Sequence, residues 1–233
     1  MTRSYRDQDM MAEKSLAEFM DTYFYSKLES KQGGLLTFKR MSEKESQLKG
    51  IDVYIETGGS KLLIDEKASL YYSNVMIPTF AFELDSIQKG HPDPIPGWFV
   101  NDTLETEYYM LIWPNVKCIR QGDQWIRKDI QNLSKDDFTI VEAMLIKKSD
   151  IRMELAKQGY DRGRLIERAK QFRALYGMAV QKQDEPLINN VRISFSGQLA
   201  EKPVNLVIRK ELLRRLAKGI YLISSDGYAM IRG

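Results

Sequence analysis

The alternation of apolar and polar residues is sharpest between residues 50 and 68. Ile51, Val53 and Ile55 alternate with Asp52, Tyr54 and Glu56, Thr57-Gly58-Gly59-Ser60 interrupts, and Leu62 and Ile64 resume ahead of Asp65 and Lys67. Period-two alternation on both sides of a glycine pair predicts a β-hairpin. With a symmetric loop of two or four residues, Ile55 faces Leu62, Val53 faces Ile64 and Asp52 faces Asp65. Opposed residues share a face with Cβ atoms roughly 4.5–5.5 Å apart. One face then reads Ile51, Val53, Ile55, Leu62 and Ile64 and belongs to a core. The other carries Asp52, Asp65 and Lys67 together, because side chains two apart along a strand point the same way.

Around this hairpin the pattern predicts a helix over residues 9–29, where Ala12, Leu16, Phe19, Met20 and Tyr23 recur at helical spacing. Lys31-Gln32-Gly33-Gly34 ends it. A strand is expected over 35–41, followed by a polar connection. Further strands are expected over 79–86, where Phe80, Phe82 and Leu84 alternate with polar residues, and over 98–100, 106–113 and 138–147. From Ser149 the period becomes helical, with Ser149 as cap of one short helix and Asp161 as cap of a second running to Tyr176. Pro186–Asn190 reads as a break, with 182–190 a hinge candidate. Strands over 191–196 and 204–208, a basic helix over 210–218 and a last strand over 219–224 complete the chain.

This order of elements predicts an α/β (α+β) fold, a central mixed sheet flanked by helices. Residues 1–150 form its core. Residues 151–233 form a helical, basic extension with short strands, packed on that core as one domain. The aromatics Trp98, Tyr108, Tyr109, Trp113 and Trp125 are read as core or sheet-edge packing rather than base-stacking platforms.

Composition narrows the chemistry. Of 233 residues 43% are hydrophobic and 29% charged, an ordinary globular balance. No run reaches the roughly 18–20 apolar residues of a membrane span, and the first residues carry no signal-peptide pattern. A single cysteine, Cys118, excludes an internal disulfide and suits a reducing cytoplasm. One cysteine and one histidine (His91) also exclude the usual zinc sites and histidine-based triads. Hydrolysis here would have to run on carboxylates, lysine and a metal. Net charge is only +3, but residues 131–233 hold 19 Lys and Arg against 12 Asp and Glu. Such an excess is a solvated helix face or a phosphate-tracking surface.

The wet face of the hairpin is where chemistry concentrates. Two carboxylates opposed on a ladder repel. A divalent cation turns that cost into a site, because Mg²⁺ favours one or two carboxylates with water and phosphate oxygens completing its shell. A lysine beside them can orient a water or neutralise charge developing on a phosphate. On the first helix Glu13 flanks the apolar stripe whereas Glu18 lies on its far side, so Glu13 is the better candidate to approach such a site. Gln47, three residues before Gly50, is a further loop candidate, and Glu83 a polar one on the 79–86 strand.

Asp52, the Asp65-Glu66-Lys67 triplet and the glycine turn between them resemble the active-site hairpin of the PD-(D/E)xK nuclease superfamily. The resemblance is specific over about residues 35–69 and loose over the first 150. It implies a restriction-endonuclease-like core, Mg²⁺ (or Mn²⁺) held by Asp52 and Asp65, and Lys67 assisting the attacking water. It departs from the pattern in having Ile51 rather than proline before Asp52, and in lacking an evident helix over 69–78. The function so implied is Mg²⁺-dependent hydrolysis of phosphodiester bonds in DNA, with RNA the other candidate substrate, no membrane, and homodimer formation left open. Two other readings stay open: a non-catalytic nucleic-acid-binding protein of the same fold, and a structural or interaction protein with solvated hairpin charges.

Overall fold

The computed structural model describes residues 6–42, 44, 48–88, 90–91 and 93–233, with side chains from Met10 onward. The first residues, Gln47 and the Pro92 of the 90–97 loop lie outside the described residues. The chain is mixed α/β and forms two compact units, one from residues 6–77, 105–148 and 217–233, the other from 78–104 and 149–216. Among the described residues the chain crosses between the units four times, once at Lys148–Ser149.

The first unit opens on one long helix: α1 (Arg6–Met20), a π-helical turn (Asp21–Tyr25) and α2 (Ser26–Lys31). Gly33 and Gly34, both at positive φ, release the chain from it. A seven-stranded mixed sheet follows, built from β1 (Leu36–Arg40), β2 (Val53–Thr57), β3 (Ser60–Ala68), β6 (Tyr108–Val116), β9 (Phe138–Lys147), β13 (Gly219–Ser224) and β14 (Gly227–Arg232), in the order β1-β2-β3-β6-β9-β13-β14. The β3–β6 pairing is parallel and the others antiparallel. Ala12, Leu16, Phe19, Phe24 and Tyr25 of the helix bury against Val53, Ile55, Ile64, Met110, Ile112 and Ala143 of the sheet. Each Leu, Ile, Val, Phe or Met side chain so removed from water stabilises by about 1.5–3 kcal/mol.

Between β6 and β9 the same unit carries a small hairpin, β7 (Cys118–Gln121) with β8 (Gln124–Arg127), absent from the sequence expectation. β14 was likewise not anticipated: Ala229, Met230, Ile231 and Arg232 are all exposed and only Tyr228 packs on the core, so no period marks it in the sequence. Residues 69–78 hold only a 3₁₀ turn at Leu70–Tyr72.

The second unit has a five-stranded antiparallel sheet from β4 (Thr79–Ser86), β5 (Ile95–Pro96), β10 (Lys182–Ile188), β11 (Val191–Ser196) and β12 (Val204–Arg209), in the order β10-β11-β12-β4-β5. Its helices are α3 (Lys148–Lys157, starting at the crossing), α4 (Arg162–Tyr176) and α5 (Lys210–Leu216). Helix α4 buries Leu165, Ala169 and Phe172, and packs on β4, β11 and β12.

Three expectations are corrected here. Residues 98–100 form a turn, not a strand: Val100 and Asn101 N–H both donate to the Gly97 carbonyl, and Trp98 and Phe99 fold onto Phe82 as an aromatic cluster. Residues 182–188 are an edge strand rather than a hinge. Pro186 is tolerated because the pairing shifts between Pro186 and Ile188, and an edge strand needs no donor on its outer side. Ser149 lies inside its helix, which begins at Lys148. Asp161, by contrast, caps α4 as its residue type suggests, accepting from the Arg164 N–H.

Candidate active site

Gly58 and Gly59 take φ of +55° and +77°, the left-handed pair that a two-residue hairpin turn requires. The turn sets the register as Val53 to Ile64, Ile55 to Leu62 and Thr57 to Ser60. Asp52 lies one residue ahead of β2, and its N–H donates to the Ile64 carbonyl at 2.8 Å. On its other side its carbonyl accepts from the Met41 N–H at 2.9 Å. Asp52 is thus held at the end of β2 as a bend between β1 and β3, just beyond the last paired step of the ladder, Val53 with Ile64.

The two carboxylates meet. Asp52 Oδ2 accepts the Glu66 backbone N–H at 2.8 Å, which turns its side chain across toward β3. Asp65 is only 3% exposed, and its pKa is pushed up to about 7. Burial is the chief cause, and the charge of Asp52 and a hydrogen bond with it add to the rise; the Lys67 ammonium works against it. Lys67 Nζ is ion-paired with Asp65 Oδ1. Burial alone would lower the lysine's pKa, but Asp65, Asp52 and Glu13 together hold it above its usual value. Glu13, exposed on α1, is thereby within electrostatic reach of Lys67.

Two carboxylates therefore stand against one ammonium on hard oxygen donors, with Glu13 in electrostatic reach. Among the described residues no group of three or more His, Cys, Asp or Glu side chains forms a ready metal cage. The pair of carboxylates nevertheless fits Mg²⁺, which binds through one or two of them and keeps its waters. Without a metal the same charge problem shows as the raised pKa of Asp65.

Behind the pair lies a layer the sequence reading missed. Glu66 points to the core side of the sheet, opposite to Asp65 and Lys67. There it accepts from Tyr25 Oη at 2.9 Å and pairs with Arg40 Nη1 at 2.6 Å. Arg40 also forks onto Asp21, with Nε 2.8 Å from Oδ2 and Nη2 2.7 Å from Oδ1. Burial raises the Glu66 pKa, against the pull of Arg40. Asp21 and Tyr25 are the two ends of the π-helical turn, a feature that often marks functional sites. A signal was present. Arg40 continues the Leu36, Phe38 series of β1, and Glu66 the Leu62, Ile64 series of β3, so each places a charge in a core-facing row. Buried charges of opposite sign demand each other.

Other candidates fall elsewhere. Glu83 belongs to the second unit and accepts from Ser86 Oγ at 3.1 Å. His91 is exposed in its loop. The basic excess of α3 and α4 is largely spent on ion pairs inside the second unit: Arg152 and Arg162 on Asp102, Arg168 on Glu185, Arg173 on Asp85. Tyr109 and Trp113 are buried as packing residues, whereas Trp125 is exposed, against expectation. No helix is long and apolar enough to cross a membrane among the described residues. Comparison with protein-family models, curated proteins and solved structures found no match for the chain.

Proposed function

We propose that the chain is a divalent-metal-dependent nuclease of the PD-(D/E)xK type, hydrolysing phosphodiester bonds of DNA. The observation that carries this reading is the meeting of Asp52 and Asp65, with Lys67 ion-paired beside them. Asp52 and Asp65 would hold the metal, Asp52 kept in place by the Glu66 amide. Mg²⁺ or Mn²⁺, when bound, lowers the pKa of a coordinated water and screens the scissile phosphate. Lys67, kept protonated by its acidic neighbours, orients the attacking water or neutralises charge on the phosphate. Glu13 adds negative potential at the rim. Glu66, Arg40, Asp21 and Tyr25 position β3 and Asp52 without touching the substrate.

The test is incubation with supercoiled plasmid, linear duplex and single-stranded DNA, with RNA alongside, in 10 mM Mg²⁺ or Mn²⁺. Cleavage that EDTA stops and that Asp52→Asn and Asp65→Asn each abolish is the expected result. A parent protein that cuts none of these substrates with either metal overturns the reading.

A further inference from the structure

The β7–β8 hairpin is an isolated two-stranded ribbon, a structure only marginally stable by itself in water. All four residues of β7 are exposed, as are Gln124 and Trp125 of β8. Trp125 is 72% exposed, although burying an indole would be strongly favourable. The ribbon is nevertheless held firmly at its base. Lys117 N–H donates to the Asp137 carbonyl at 2.8 Å, Lys128 N–H to the Lys117 carbonyl at 3.0 Å, and Arg127 Nη1 to the Tyr71 carbonyl at 2.7 Å. An exposed tryptophan on an anchored ribbon offers a fixed contact surface to a partner outside the chain.

Register and charge indicate what that is. Arg120 is paired with Trp125, and Cys118 with Arg127. Arg120, Trp125 and Arg127 consequently share one face of the ribbon. Residues 117–128 carry four basic side chains; Lys128 is ion-paired with Asp137 at 2.6 Å, whereas the contact of Asp123 with Arg120 is long, 3.8 Å, and solvent-exposed, so that it neutralises little. Stacking aromatics framed by cations are how proteins hold single-stranded nucleic acid, since every unpaired base offers a π-face that a duplex hides.

Placement adds a further link. Arg127 ties the ribbon to the turn that begins at Ser69, directly after the Lys67 strand. Leu111, the neighbour of Lys67 across the parallel ladder, lies five residues before Val116, the end of β6 and the root of the ribbon. At about 3.3 Å per residue this is roughly 17 Å, a few nucleotides of strand. We infer that the 118–127 ribbon is a contact for single-stranded nucleic acid, in which Trp125 stacks on an unpaired base and Arg120 meets the backbone beside it. This rests on the nuclease reading, and names the form in which the substrate is held near the site.

The experiment is direct binding of the full chain to a fluorescein-labelled 15-nucleotide oligo(dT) and to a 15-base-pair duplex, in EDTA, at 50 and 200 mM salt. No metal or cleavage is needed, so loss of the nuclease reading and loss of this one are separable. Trp125→Ala should weaken oligo(dT) binding by about 5- to 150-fold, Trp125→Phe should recover most of it, and Arg120→Ala should flatten the salt dependence. Because Trp125 is exposed, thermal unfolding of these variants should match the parent. Unchanged affinity of Trp125→Ala for oligo(dT), no binding by the parent, or a duplex bound as tightly as the single strand overturns the inference.

Discussion

Asp52→Asn separates the electrostatic cost of the candidate site from its use. Asp65 has its folded-state pKa raised from 3.8 to about 7, so the native state holds that proton more tightly than the unfolded chain. The stability this represents is complete below pH 4 and is lost as pH rises through 7, a decline of about 4 kcal/mol by pH 8. Burial is the largest cause and Asp52 a smaller one; were Asp52 to supply a quarter to a half of that decline, its share would be roughly 1–2 kcal/mol. Asparagine keeps an oxygen for the Glu66 N–H and adds an amide donor for Asp65. In EDTA at pH 8 Asp52→Asn should therefore be more stable than the parent, by about 2–8 °C in Tm for a chain of this size. At pH 4 the gain should vanish.

Metal should reverse the order. If Mg²⁺ binds the parent with a millimolar Kd, 10 mM adds about 1.4 kcal/mol, whereas Asp52→Asn should gain nothing. Differential scanning fluorimetry across pH 4–8, with EDTA or 10 mM Mg²⁺, reads both halves. A variant less stable than the parent in EDTA at pH 8 would refute the repulsion argument. A parent Tm indifferent to Mg²⁺ and Mn²⁺ would remove the metal from it.

Lys67→Ala should leave Mn²⁺ binding intact or tighter by titration calorimetry, because a cation has gone, while cleavage falls roughly 10²–10³-fold; cleavage at the parental rate would show Lys67 to be only a strand lysine. Arg40→Ala should destabilise by about 3–5 kcal/mol in urea unfolding, since it strands Glu66 and Asp21, and Arg40→Met with Glu66→Leu should recover most of that loss. Asp137 is held down to about 2, against the effect of its burial, by Lys128 and the Ser134 cap. Its folded pKa lies below its unfolded one, so its stabilisation is present above pH 4 and disappears as pH falls through 2. Solvent screens the pair, so Asp137→Asn should cost less than about 2 kcal/mol at pH 7, a cost that fades as pH drops below 2. Gly97→Ala should lower Tm, because a Cβ there would lie 2.4 Å from the Glu83 carbonyl oxygen.

What was legible in the sequence was whatever a single periodicity controls. The β2–β3 register followed from two glycines and five apolar residues, and β4, β9 and β11 run over the residues their alternation marks. Illegible were elements with no buried face. β7, β8 and β14 are largely exposed and show no alternating buried row, and β10 hides its strand character behind Pro186. The interleaving of the two units was illegible for a different reason: which of fourteen strands share a sheet is settled by long-range pairing, as when β4 joins β12 across more than a hundred residues. The cationic clusters of α3 and α4 read as a solvated face or a phosphate-tracking one, because charge shows in sequence and its partner does not. Asp85, Asp102 and Glu185, which absorb them, lie on other elements.

β3 itself shows why the site and the fold are hard to separate. Its even positions, Leu62, Ile64 and Glu66, face the helix core, and its odd positions, Asp65 and Lys67, face the chemistry. A slip of one residue would bury Lys67 in the core row and turn Glu66 away from Arg40 and Tyr25. The register is therefore specified three times: by the Gly58-Gly59 turn, by Val53 and Ile64 in the core, and by the Glu66–Arg40–Tyr25 contacts. The third is joined to the chemistry through one residue, since the Glu66 amide holds Asp52 while the Glu66 carboxylate holds Arg40. An acid in the middle of Asp65-Glu66-Lys67 is on this account a positioning device. Glu66→Gln should keep the fold through the same Tyr25 and Arg40 contacts. Glu66→Leu, with Arg40 left in place, should destabilise the unit and loosen Asp52, raising the Mn²⁺ Kd more than Glu66→Gln does. Equal metal affinity in the two variants would show that the inner layer holds the core alone.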